Sequence, residues 1–193
     1  PCHAVKEGIV PFAIAGEVAE GPFQSAKKTV ESEHLTDSIH VRKGDGLEVV
    51  RAGEVDCITI AGMGGSLIAS ILENGKEKLS GVKRLILQPN NHAHFIRSWL
   101  VQNNWELIGE EVLEEDGKIY EILVAEKGDG QKPYQGKDVD ASILLGPFLL
   151  EVKNEAFQKK WGLELKNLRK IYKQLSSASQ TEENISKKNE ILK

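Results

Sequence analysis

Four short clusters hold the side chains with the most chemical reach. They are Glu17 in Ala15-Gly16-Glu17-Val18, Asp45 in Lys43-Gly44-Asp45-Gly46, the glycines of Ala61-Gly62-Met63-Gly64-Gly65, and the amides of Gln88-Pro89-Asn90. A carboxylate such as Glu17 can accept both hydroxyls of a ribose, because its two oxygens match a vicinal diol. Asp45 can accept an adenine exocyclic amine while a neighbouring backbone N–H donates to the ring. Glycines after a strand let backbone approach a ligand closely, and the helix start beyond them offers unpaired N–H groups. Side-chain amides donate and accept, which suits a base edge. Taken singly, each cluster has a plain alternative: a surface acid, a Gly-Asp-Gly turn, a tight strand-to-helix turn, a helix cap.

Other chemistries fit poorly. A dinucleotide fingerprint opening at Gly62-Met63-Gly64 needs its third glycine at position 67, which is Leu67. His92 and His94 stand near a helix start without a third ligand at metal spacing, so no metal is expected. Cys2 and Cys57 are far apart and give no disulfide framework; Cys57, inside an apolar run, is expected to be a buried thiol. No apolar run approaches the ~20 residues that span a bilayer. Nothing at the N-terminus reads as a signal peptide, and a monomeric cytoplasmic protein is expected.

The elements that must position these clusters alternate. Strands are predicted at Phe12–Ala15, Ile39–Val41, Cys57–Ile60 and Leu85–Leu87, with helices after Pro22, over Leu67–Leu72, and around Phe95, Ile96, Trp99 and Leu100. Two further strands, Glu106–Leu113 and Ile119–Ala125, are joined by Glu115-Asp116-Gly117, so they pair antiparallel. This is an α/β class, a mostly parallel sheet with helices on its faces. Residues 128–140 read as a linker. In such sheets ligands lie beyond the carboxyl ends of the strands, where all four clusters fall.

From Pro147 a long helix is expected, with Leu150, Phe157, Trp161, Leu168, Tyr172 and Leu175 forming one apolar seam. A break at residues 176–180 and a short returning helix would complete a helical hairpin. The division is therefore 1–146 for the sheet domain and 147–193 for a helical extension. Residues 1–150 carry 15 Lys and Arg against 23 Asp and Glu, whereas residues 151–193 carry 10 against 6. A basic end on an acidic body suits an anionic partner, although on this feature alone a solvated helix face is the plainer reading.

The order of the clusters is more specific than any one of them. Ala-Gly-Glu-Val at 15–18, Arg-Lys-Gly-Asp-Gly-Leu at 42–47, Ile-Ala-Gly-Met-Gly-Gly at 60–65 and Leu-Gln-Pro-Asn at 87–90 resemble the bacterial tRNA (adenine-22-N1)-methyltransferase family. The likeness continues through Asn103-Asn104-Trp105, Tyr120-Glu121-Ile122 and Leu145-Gly146-Pro147. It implies a Rossmann-like class I methyltransferase sheet whose last strand is antiparallel, a coiled-coil-like C-terminal extension, S-adenosyl-L-methionine as methyl donor, and tRNA as substrate. By position, Glu17 and Val18 are expected at the cofactor ribose; Gly44, Asp45 and Gly46 at its adenine; Ala61, Gly62 and Met63 at its methionine end. Gln88, Pro89 and Asn90 are expected at the target base, Asn90 as the principal polar contact. Lys159, Lys160, Lys166, Arg169, Lys170 and Lys173 are the expected tRNA contacts. The family's acidic first strand-end motif would lie before Pro1, so a chain starting at Pro1 is expected to bind the donor poorly. Competing readings are a catalytically inactive RNA-binding relative and a methyltransferase acting on another substrate.

Overall fold

The computed structural model describes residues 1–177. A short helix α1 (Cys2–Lys6) precedes β1 (Ala13–Glu17), α2 (Glu20–Ser32) and β2 (Ile39–Lys43). Strands β1 and β2 pair in parallel, with Glu17 opposite Lys43. A 3-10 turn, Gly46–Val49, then leads to β3 (Cys57–Gly64), α3 (Gly65–Asn74), β4 (Arg84–Asn91), α4 (Ala93–Gln102), β5 (Trp105–Glu115) and β6 (Lys118–Lys127). The last four strands form a sheet in the order β3-β4-β6-β5. Here β3 and β4 are parallel, and β6 is antiparallel to both its neighbours. The mostly parallel plan with a late antiparallel strand is the one expected.

Alternation explains which side chains go inward. Ile58 and Ile60 of β3, Leu85 and Leu87 of β4, and Leu123 and Ala125 of β6 are buried on one face. They meet Ile68 and Leu72 of α3 and Ile96 and Leu100 of α4, each pair four residues apart on one helical stripe. Full burial of such a side chain is worth about 1.5–3 kcal/mol. Leu47 and Val50 belong to the same core, and Ile14 of β1 packs against it, so the two sheets share one interior. The β5–β6 turn places Asp116 at φ 49° and Gly117 at φ 72°, the paired left-handed conformations that Asp-Gly favours in a two-residue hairpin.

Four local expectations are corrected. Cys57 is exposed, because β3 is an edge strand of its sheet and only alternate residues turn inward. Strand β4 runs through Gln88-Pro89-Asn90 to Asn91 rather than stopping at Leu87. Residues 128–140 are no simple linker: Pro133 and Tyr134 are buried in a 3-10 turn, and Asp138 caps α5 (Val139–Leu145) by accepting the Ala141 N–H at 3.0 Å. The long helix does not start at Pro147.

A short α6 (Leu149–Val152) is followed by Lys153 at φ 46°, and α7 spans Glu155–Ser177. Asn154 makes this corner, its Oδ1 accepting the Phe157 N–H at 2.9 Å and its Nδ2 donating to the Val112 carbonyl at 2.9 Å. Leu150 therefore belongs to α6, outside the α7 seam. The first turns of α7 bury Ala156 and Phe157 against Val112 and Leu149, whereas Leu165 and Leu168 are exposed among the described residues. The break at 176–180 falls in part, and the returning helix falls wholly, outside the described residues.

Candidate functional site

The carboxyl ends of β1 and β2 form the first half of the site. Glu17 is the last residue of β1, and its carbonyl accepts the Gly44 N–H at 3.1 Å, which draws the turn after β2 against it. The Asp45 N–H donates to the Glu48 carboxylate at 3.1 Å. Two of the three amides in Gly44-Asp45-Gly46 are thus engaged, while the Asp45 side chain is exposed. Val18 is exposed beside Glu17, and Lys43 pairs with Glu20 at 2.5 Å. Gly16 and Gly44 both rest on Val49: a methyl group on Gly16 would come within 2.6 Å of Val49 Cγ2.

The second half lies at the carboxyl ends of β3 and β4. Ala61 pairs with Gln88, Met63 with Pro89 and Gly64 with Asn91, with register shifts on either side of Met63. The shift leaves the Gly62 peptide out of the ladder, and two side chains of β4 take it up. Gly62 N–H donates to Gln88 Oε1 at 2.9 Å, and Asn90 Nδ2 donates to the Gly62 carbonyl at 2.8 Å. Gly62 has φ 77°, and no atom lies within 4 Å of where a side chain would begin, so its Cα faces open space. Pro89 is buried beneath, while Ala61, Met63 and Asn90 are exposed.

Packing joins the halves. Gly46 rests on Ile71 of α3, where a methyl group would come within 2.8 Å, and α3 starts directly beyond Gly64. Gly65 is in turn pressed against the His92 carbonyl, 2.2 Å from where a Cβ would stand, so the α3 and α4 starts touch through backbone. His92, at φ 52°, and His94 lie at this junction with Phe95, with ring centroids 4.3–6.1 Å apart. Burial and the neighbouring His92 lower the His94 pKa. No group of three metal-ligating side chains occurs among the described residues.

Two cavities open elsewhere. One of about 350 Å³ lies against β5, lined by Glu106, Lys132 and Phe148 among others, and one of about 190 Å³ lies between β5 and α6. Neither is lined by any strand-end cluster.

Sequence reasoning missed the charged cluster behind the strand ends. Arg97 of α4 is fully buried with Glu110 of β5 and Glu121 of β6, at 2.6 Å and 3.0 Å. The buried pairing also changes the reading of the basic helix. Lys160 is ion-paired to Glu121 and Lys159 to Glu114, whereas Lys166, Arg169, Lys170 and Lys173 are exposed farther along α7.

The geometry now has a close counterpart among known proteins. A Bacillus subtilis (strain 168) protein named tRNA (adenine(22)-N(1))-methyltransferase is 55% identical over 191 residues, 99% of this chain and 80% of its own length. The crystal structure of the B. subtilis m1A22 tRNA methyltransferase TrmK superposes with a TM-score of 0.95 at 54% identity, covering 100% of this chain and 82% of that one. The Streptococcus pneumoniae protein Sp1610, solved in complex with S-adenosyl-L-methionine, gives 0.81 at 42% identity, covering 100% and 86%. The profile of the TrmK family, tRNA (adenine(22)-N(1))-methyltransferase, matches residues 1–193. With its strand-end clusters on one α/β framework and that framework matched from first residue to last, the chain belongs to the tRNA (adenine(22)-N(1))-methyltransferase family.

Proposed function

We infer that this protein transfers a methyl group from S-adenosyl-L-methionine to N1 of an adenine, of the position-22 type, in tRNA. The observation that carries the reading is the 55% identity to the B. subtilis enzyme across 99% of the chain, with every strand-end cluster inside the matched span. We place the protein in the cytoplasm, where tRNA is modified, and expect it to act as a monomer; no described helix is long and apolar enough to cross a membrane.

The residues present fit the methyl donor. Glu17 ends β1 as a half-exposed carboxylate suited to the ribose diol, next to exposed Val18. Asp45 offers an exposed carboxylate to the adenine amine, and the Gly46 amide is the donor left in a turn where Gly44 and Asp45 are engaged. The open face of Gly62, between Ala61 and Met63, leaves room for the methionine end. When bound, the donor supplies an electrophilic methyl on a sulfonium.

Adenine N1 attacks with a ring lone pair, so no side chain has to remove a proton first. The protein's task is orientation, holding the reacting atoms about 3–3.5 Å apart and in line. Asn90 turns its Nδ2 to Gly62, and its Oδ1, which takes only a long 3.5 Å contact from Gln88 Nε2, is the acceptor for the adenine exocyclic amine as positive charge develops on the base. Gln88 holds the N–H of the same residue, and Pro89 stiffens the strand between them. Drawing the adenine out of its stack costs about a few kcal/mol, repaid by these contacts. Lys166, Arg169, Lys170 and Lys173 are the proposed tRNA contacts.

The test is to incubate the protein with radiolabelled S-adenosyl-L-methionine and unmodified tRNA, then map the modified base by primer extension. Label at one D-arm adenine is expected. Label elsewhere, or none, overturns the reading.

A further inference from the structure

The geometry points to Lys160 and Glu121 as positioning residues: their ion pair, anchored on Arg97, sets the direction in which α7 leaves the sheet. The exposed basic residues farther along α7 thereby meet tRNA while its target adenine reaches Asn90. This inference rests on the reading that Lys166, Arg169, Lys170 and Lys173 contact tRNA.

The cluster draws on five elements and is electrically closed. Arg97 donates through Nε to Glu110 Oε1 at 2.6 Å and through Nη2 to Glu121 Oε1 at 3.0 Å. Its Nη1 reaches the carbonyls of Ile143 and Leu144, at the end of α5, at 3.2 and 3.1 Å. Glu110 Oε2 accepts the Phe148 N–H at 3.1 Å, and Glu121 Oε2 accepts from Lys160. All four carboxylate oxygens are therefore used, and two cations balance two anions. The surrounding backbone is fitted to the cluster. Gly146 has φ 98°, and a methyl there would lie 2.8 Å from both Arg97 Nη2 and Glu110 Oε2.

A buried ionic cluster of this kind adds little net stability over an apolar one, but each group tolerates only one arrangement of its partners. What it specifies here is relative placement. Helix α4 carries Arg97 and begins three residues after Asn90, while α7 carries Lys160. Glu121 lies between the two, one oxygen for each helix. Lys160 is mostly buried on Glu121, which removes its charge from any phosphate-facing surface.

The test compares Lys160→Met, Lys160→Arg, Glu121→Gln and the double variant Lys166→Met/Lys170→Met. Measured for each are kcat and KM for tRNA, calorimetric S-adenosyl-L-methionine affinity, and the slope of log tRNA affinity against log salt. Lys160→Met is expected to lower kcat at least about tenfold with donor affinity and salt slope unchanged, since small misplacements cost this much. Lys160→Arg should restore most of the rate, and Glu121→Gln should behave like Lys160→Met. The double variant should weaken tRNA binding and flatten the slope by about 1.8. A Lys160→Met protein whose slope falls by about 0.9 with normal kcat has lost a phosphate contact, and the inference fails. It also fails if Lys160→Met and Glu121→Gln are both fully active, or both unfolded by circular dichroism. An unaltered double variant overturns the tRNA reading of α7, a failure distinct from that of the ion pair.

Discussion

Asn90 Nδ2 lies 2.8 Å from the carbonyl oxygen of Gly62, and Gln88 holds the N–H of the same residue at 2.9 Å. The side chains proposed for the base and the loop proposed for the donor are therefore one mechanical unit. Gln88→Ala should weaken donor binding as well as turnover. A hydrogen bond of this type is worth about 1 kcal/mol net, so about a fivefold rise in the Kd for S-adenosyl-L-methionine is expected by calorimetry. Unchanged donor affinity would separate the two roles again.

Gly62 is held at φ 77° with open space around its Cα. Gly62→Ala meets no neighbour, so its cost is that of the left-handed backbone alone, about 1–2 kcal/mol. Gly62→Asn should cost less, because Asn tolerates this conformation. Urea midpoints of the two variants measure the order, and the reverse order would mean that sterics rather than backbone decide.

Gly65 presents the opposite case. A methyl group there would stand 2.2 Å from the His92 carbonyl oxygen, which is backbone and cannot swing away. Gly65→Ala should force the starts of α3 and α4 apart, at the roughly 1–3 kcal/mol typical of overpacking. Turnover should fall with it, because Asn90 stands two residues before His92. A variant with wild-type unfolding and rate would show that the junction is pliant.

The Arg42 guanidinium grips Glu54 through two bonds of 2.7 Å and donates to the Val49 carbonyl at 2.9 Å. Arg42, with help from the Arg51 N–H, holds the Glu54 carboxyl at about 2, below its ordinary 4.5. A depressed acid stabilises the fold above the unfolded value and loses that contribution as pH falls through the folded one. The urea midpoint of Glu54→Gln should therefore trail the wild type by a steady margin from pH 7 to about 5.5, and the gap should close as pH drops towards 2. A margin that widens in acid would contradict this ion pair.

The succession of strands along the chain was readable because most are short apolar runs and turns carry their own signals, such as Asp116-Gly117. Glu17, Asp45 and Asn90 could be singled out for the same reason, each lying within four residues of the end of such a run. Arg97, Glu110 and Glu121 were not: in sequence each looks like the solvent side of its element, and only the arrival of α5 and α7 over β5 and β6 encloses them. Lys160 shared that fate, since charge counting cannot distinguish a lysine over a buried carboxylate from one in water. The Gly62 amides escaped too, because a bulge two strands wide leaves no mark on spacing. The stretch 128–140 looked like a linker from its composition, yet Pro133 and Tyr134 anchor it.

The Asn154 corner has a geometric corollary. At about 1.5 Å per residue, the 23 residues of α7 make a rod about 34 Å long pivoting on that amide. One degree of tilt at the pivot sweeps the tip through about 0.6 Å. Such an arm gauges distance: a folded RNA of matching span can bring one adenine to the strand ends while its phosphates engage the far end, and a shorter or looser one cannot do both.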